Sequence, residues 1–278
     1  MTSTDTGPAT RTERVLALPD GDLHVTDEGP RGAPALLLIH GTVSSGRSWD
    51  LVAPALAEAH RVVRVDLLGH GRSAKPADVS YAVPDQAARV AAVVERLGTG
   101  PVTVVGHSSG GIVATALAEQ RPDLVAAVAL VDTGPSLDAY LEPPGGDLRP
   151  QQWPPTDEEL RAAARTAFAT DDFPAPHALF DDVRLMEPAS MGPVAAAATA
   201  YLAAVPLPTR LAGLGKPLLV VFGELDRRWA PSSATDYEVV PGATVTMLAG
   251  VGHTPIVEKP ARTAAILRDF AGAVERVP

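Results

Sequence analysis

At 278 residues, with 46% hydrophobic and 20% charged side chains, the chain is long enough to bury one full core with an inserted subdomain. Its 33 acidic against 23 basic residues give a net charge of -10, which repels phosphate backbones and anionic lipid headgroups and argues against nucleic acid as a partner. Cysteine is absent, which excludes disulfides and thiolate metal sites, and the seven histidines show no H-x-x-x-H spacing, so no structural metal is expected.

Met1 to Glu13 is rich in Thr, Ser and Gly and has no basic start leading into an apolar stretch, which predicts a cytoplasmic protein. Arg14 to Leu18 and Leu23 to Thr26 flank Pro19-Asp20-Gly21-Asp22 and read as an antiparallel hairpin with Asp-Gly turn chemistry. Short apolar runs follow at Ala35 to Ile39, Arg61 to Val65, Val102 to Val105, Val125 to Val131 and Pro217 to Phe222, and such runs suit strands buried on both faces. Between them, Trp49 to Ala59, Pro84 to Leu97, Gly110 to Gln120 and finally Ala261 to Val277 have helical spacing. Alternating strand and helix predict an α/β fold, a mostly parallel sheet of about eight strands covered by helices on both faces.

The alternation breaks once, between Thr133 and Leu211, where prolines cluster and helical pieces such as Asp157 to Phe168 appear without a strand. The expected organisation is therefore a core of residues 1–133 and 211–278 with a helical lid, residues 134–210, inserted after the sixth strand. The longest apolar runs, Leu124 to Val131 and the alanine-rich stretch near Ala195, are too short or too interrupted by Pro206 and Pro208 to cross a bilayer, so no membrane is expected as a partner. Oligomeric state is left open.

Gly106-His107-Ser108-Ser109-Gly110 follows the strand run at Val102 and precedes a helix. A serine on so sharp a strand-to-helix turn takes a strained backbone, and the flanking glycines let strand and helix approach closely. Its hydroxyl is presented at the C-terminal edge of the sheet, beside a helix N-terminus that favours negative charge. A serine hydroxyl needs a base, and the base needs an orienting acid. Downstream, Gly223-Glu224-Leu225-Asp226 and then Gly252-His253 each follow a strand, in the chain order serine, acid, histidine. Ser108 is thus read as nucleophile, His253 as general base and Asp226 as the orienting acid, with Glu224 and Asp132 as rivals for the last role. His40, His70 and His107 read as hydrogen-bonded loop residues.

Together with Leu38-Ile39-His40-Gly41, Asp66-Leu67-Leu68-Gly69-His70-Gly71-Arg72-Ser73 and Gly252-His253-Thr254-Pro255, these motifs stand in the order of the α/β-hydrolase superfamily, which the chain resembles over nearly its whole length. The resemblance implies an oxyanion hole formed by the backbone N–H groups of Thr42 and Ser109, with Val43 as the alternative to Thr42. It implies hydrolysis of a small-molecule ester or lactone with an apolar acyl part, through an acyl-enzyme and without a cofactor. A serine at the elbow excludes the branches that use aspartate there. Carbon-carbon bond hydrolase, thioesterase and perhydrolase activities share the same triad, and a non-hydrolytic receptor or a cofactor-independent lyase or cyclase shares the fold. Gly69 to Ala74 also fits a dinucleotide-binding G-x-G-x-x-A pattern, but Pro76 and Pro84 interrupt the helix that should begin there. Val43, Trp49, Trp153 and Phe180 are the candidate substrate contacts.

Overall fold

The computed structural model describes residues 11–141 and 153–276. Strands β1 (Thr12–Leu16) and β2 (Leu23–Glu28) form the expected hairpin, with Leu16 opposite Leu23. The remaining strands are β3 (Ala35–Ile39), β4 (Arg61–Val65), β5 (Val102–His107), β6 (Val125–Val131), β7 (Leu218–Gly223) and β8 (Thr244–Leu248). They make one eight-stranded sheet in the order β1-β2-β4-β3-β5-β6-β7-β8. Only β2 runs antiparallel to its neighbours; every pairing from β4 to β8 is parallel.

Parallel strands joined by crossovers are covered on both faces, and β3, β4, β5 and β7 are buried at every residue. The pleat sorts β3 between two cores. Leu37 and Ile39 join Val90 of α2 (Val83–Leu97) and Leu117 of α3 (Ser109–Gln120), whereas Leu36 and Leu38 join Leu56 of α1 (Ala53–Ala57), Ile256 of α8 (Pro255–Glu258) and Leu267 of α9 (Pro260–Val274). The helical spacing from Trp49 to Ala59 resolves into a 3-10 turn at Gly46–Trp49 followed by α1. Pro54 accounts for the break, because a proline fits the first turn of a helix and interrupts one that has already started. A 3-10 segment at Pro231–Val239, between β7 and β8, has no counterpart in the apolar periodicity.

Between β6 and β7 lie α4 (Asp157–Ala164), α5 (His177–Leu185), α6 (Pro188–Ala204) and α7 (Leu207–Ala212). Among the described residues this stretch contains no strand, only an isolated bridge between Tyr140 and Trp229. Pro143, Pro144 and Pro150 lie outside the described residues. Thr156 and Glu159 cap α4 reciprocally, satisfying backbone N–H groups that have no partner within the helix. Phe168 enters the core beneath α8, and Tyr201, Leu202 and Leu207 enter the core around α3, so both flanks of the insertion are anchored. Leu160, Phe180 and Val183 form a separate small cluster that includes Val43 and Trp153. Among the described residues, no helix is long and apolar enough to cross a membrane.

Candidate active site

Ser108 links β5 to α3 with φ 52° and ψ -126°, a left-handed conformation that costs a serine about 1–3 kcal/mol and persists only where the surroundings enforce it. Gly106 and Gly110 provide that enforcement through close approach. A Cβ on Gly106 would lie 2.4 Å from Gly110 O, and one on Gly110 would lie 2.4 Å from Ile39 O. The elbow therefore brings α3 against the end of β3, and the half-buried Ser108 hydroxyl faces the loops after β7 and β8.

His253 is almost fully enclosed, with Nε2 3.0 Å from Ser108 Oγ and Nδ1 2.8 Å from Asp226 Oδ2. A carboxylate accepts only, so Nδ1 carries the proton and Nε2 presents its lone pair to the serine hydroxyl. The other oxygen of Asp226 accepts from the backbone N–H groups of Arg228 (2.7 Å) and Trp229 (3.1 Å). Burial opposes charge on Asp226, but its electrostatic interaction and hydrogen bond with His253 outweigh it and hold the carboxyl below its ordinary range. Glu224 is exposed and takes no part.

Asp132, the other rival, directly follows β6 with φ 44° and no solvent exposure. Its Oδ1 accepts from Gly223 N–H at 2.9 Å, and its carboxyl lies within 4.8 Å of ligand atoms of both Asp226 and His253. Burial, and then the neighbouring Asp226 charge, push Asp132 well above the usual carboxylate range. Of the two adjacent buried carboxyls, Asp226 is thus biased towards the ionised form and Asp132 towards the protonated one.

Neither Thr42 N–H nor Ser109 N–H has a hydrogen-bond partner among the described residues, while their side-chain oxygens lie 2.7 Å apart. Val43 has φ 54°. Thr42 is oriented by the turn after β3, which is in turn tied to the loop after β4: Asp66 accepts from Gly46 N–H (2.7 Å) and Arg72 N–H (2.9 Å). Burial opposes its charge, yet these bonds and the nearby His24 and His40 hold Asp66 at about 2. The dinucleotide-like segment thus braces the site through backbone and side-chain hydrogen bonds.

His40 Nε2 accepts from Leu67 N–H at 3.0 Å, and His107 Nε2 donates to His253 O at 2.8 Å. Both are loop braces, as their motif positions predict. Burial, then the neighbouring His253, lower His107 to about 3, so it stays neutral. Trp49 is fully enclosed and edge-on to His107, with ring centroids 6.5 Å apart, so it supports the histidine from the core side. Sequence reasoning missed Glu258, which accepts from Gly252 N–H (3.0 Å), Thr254 N–H (3.2 Å) and Ala169 N–H (2.9 Å), joining the His253 loop to the insertion. Its position in the short helix that follows Gly252-His253-Thr254-Pro255 is the only local signal.

This sheet order, with a serine on the elbow hydrogen-bonded to a histidine and an aspartate on successive strand-end loops, is that of a serine hydrolase with an α/β-hydrolase fold. The alpha/beta hydrolase family profile matches residues 36–266, and the chain belongs to that family. It is 30% identical to a pimeloyl-[acyl-carrier protein] methyl ester esterase of Aeromonas hydrophila over 86% of this chain and 96% of that one. It is also 45% identical to the lipase LipV of Mycobacterium tuberculosis over 117 residues, a match that spans 42% of this chain and less than half, 44%, of that protein. Among solved structures, the N-acyl homoserine lactonase AidH with N-butanoyl homoserine superposes with a TM-score of 0.81 at 22% identity, covering 96% of this chain and 98% of that one.

Proposed function

We propose that this protein hydrolyses a small-molecule carboxylic ester or lactone through an acyl-enzyme on Ser108. The observation that carries the reading is the continuous hydrogen-bonded relay Ser108 Oγ, His253, Asp226, at 3.0 and 2.8 Å. Ser108 Oγ attacks the carbonyl as His253 Nε2 takes its proton, and Asp226 stabilises the imidazolium. The N–H groups of Thr42 and Ser109 receive the oxyanion. His253 then gives the proton to the departing alkoxide, and a water activated by the same nitrogen releases the acid. In this reading Asp132 stands behind Asp226 as a neutral carboxyl and adds no second charge. The names of the full-length esterase relative and of the lipase favour ester substrates.

In the same reading, residues 134–210 form the cap of the core made by residues 1–133 and 211–278, with Val43, Trp153 and Phe180 as substrate contacts. Their support is the small cluster around Phe180, against which both Val43, next to Thr42, and Trp153 pack. Trp49, enclosed in the core, is better suited to bracing His107. The test is labelling with a fluorophosphonate probe alongside turnover of p-nitrophenyl esters of graded chain length. Ser108→Ala is expected to abolish labelling and to lower turnover by several orders of magnitude while the protein stays folded. Wild-type turnover in that variant would exclude the covalent route.

A further inference from the structure

Beside the oxyanion residues Thr42 and Ser109 lies a narrow cavity of about 20 Å³, lined also by Val113 of α3 and by Val194, Ala197 and Ala198 of α6. Two polar side chains also line it, His70 and Gln86, with 1% and 4% of their surface exposed. Both are anchored on one atom: the Leu68 carbonyl lies 2.9 Å from Gln86 Nε2 and 3.3 Å from His70 Nδ1. A carbonyl only accepts, so Gln86 must point its amide N–H₂ there and His70 must carry its proton on Nδ1. Burial, then the neighbouring His40, lower His70 to about 3, which keeps the ring neutral. The atoms left over, Gln86 Oε1 and His70 Nε2, are therefore both acceptors, and neither has a hydrogen-bond partner. A buried acceptor without a donor is destabilising, and apolar side chains of the same shape would avoid that cost.

We propose that this cavity is a substrate subsite in which Gln86 Oε1 and His70 Nε2 receive a hydrogen-bond donor, a hydroxyl or amide N–H, carried by the acyl chain a few bonds from the scissile carbonyl. The inference rests on the hydrolase reading and narrows its substrate class. The small volume favours a compact polar group over a bulky one. Shared lining with Thr42 and Ser109 puts the group close to the reacting carbonyl. A site with acceptors already oriented discriminates strongly against an analogue that cannot donate. A bound water serving the same two acceptors is the competing occupant.

The test uses methyl esters of butanoic acid with hydroxyl, fluorine or methyl at carbon 3 or carbon 4, which differ in donor ability more than in size. For the wild type, kcat/KM for a hydroxyl ester at one of these positions is expected to exceed both analogues by about tenfold or more. Gln86→Met should bring that ratio down towards one. Calorimetry of the corresponding free acids with Ser108→Ala should show the same order of affinity, a readout independent of turnover. Fluorophosphonate labelling of Ser108 reads the triad separately. Intact labelling with no hydroxyl preference at either carbon, or a preference unchanged in Gln86→Met, would overturn the subsite and leave the hydrolase reading standing. If labelling fails, the hydrolase reading falls, and the order of acid affinities alone decides the subsite.

Discussion

At the C-terminal edge of the sheet the reacting groups are fixed by backbone. Ser108 sits on a left-handed turn clamped by Gly106 and Gly110, Asp226 is held by two backbone N–H groups, and His253 is tied by His107 through its own carbonyl. The middle of the insertion is fixed differently. Helix α5 meets the core through side chains, the Phe180 cluster with Val43 and a buried Asp182 that accepts from Ser45 Oγ (2.7 Å) and Arg47 Nη1 (3.3 Å). Backbone constraints cannot be altered piecemeal, whereas side-chain contacts can be exchanged one at a time. In the proposed reading, chemistry belongs to the rigid edge and substrate choice to the more replaceable surface.

The sharpest way to break this contrast is within the triad. Asp226→Asn should lower kcat on the order of 10⁴-fold by favouring the wrong imidazole tautomer, whereas Asp132→Asn, which replaces a carboxyl that burial and Asp226 already push towards the neutral form, should cost less than about tenfold. Steady-state kinetics of both variants decide it, and the opposite ranking would move the orienting acid to the end of β6. Next in size, Gly110→Ala forces a Cβ to within 2.4 Å of Ile39 O and 2.5 Å of His40 O. Urea unfolding should show a loss of about 3 kcal/mol or more, and near-neutrality would mean that the elbow tolerates far more movement than its contacts suggest.

Acid should unravel the rigid edge through its buried histidines. Burial depresses His40, His70 and His107, against the opposing pull of Asp66 at His40 and with a neighbouring histidine adding to it at the other two, which fall to about 3, so the folded protein favours the neutral rings while an unfolded chain binds protons below about pH 6.5. Stability is therefore full at neutral pH and above, and falls as pH drops from about 6.5 towards 3, by up to about 1.4 kcal/mol per pH unit for each histidine. Scanning calorimetry from pH 8 to pH 4 should show Tm level down to about pH 6.5 and falling from there to pH 4. A flat Tm between pH 7 and 5 would contradict the neutral assignment. The smallest effect on stability belongs to the insertion: Phe180→Leu should cost about 1 kcal/mol in thermal unfolding yet reorder the preferred acyl chain lengths. An unchanged ranking would return substrate selection to the core loops.

The amino-acid order by itself determined the alternation of apolar runs and helical spacings, hence the sheet, the break after β6, and the motifs containing Ser108, Asp226 and His253. Those signals are local: a strand buried on both faces and a Gly-x-Ser-x-Gly turn are each written within a few residues. The choice among Asp226, Glu224 and Asp132 was not local. It depended on the register of β6, β7 and β8 and on left-handed turns at Ser108 and Asp132, which together bring Asp226 to His253 and leave Glu224 exposed. The same is true of His70 and Gln86, sixteen residues apart in a loop and a helix. Only the fold turns both onto the Leu68 carbonyl and leaves their two acceptors beside Thr42 and Ser109. A side chain's type is written in the sequence, but which of its hydrogen-bonding atoms remains unused is decided by what the folded chain has already placed against the others.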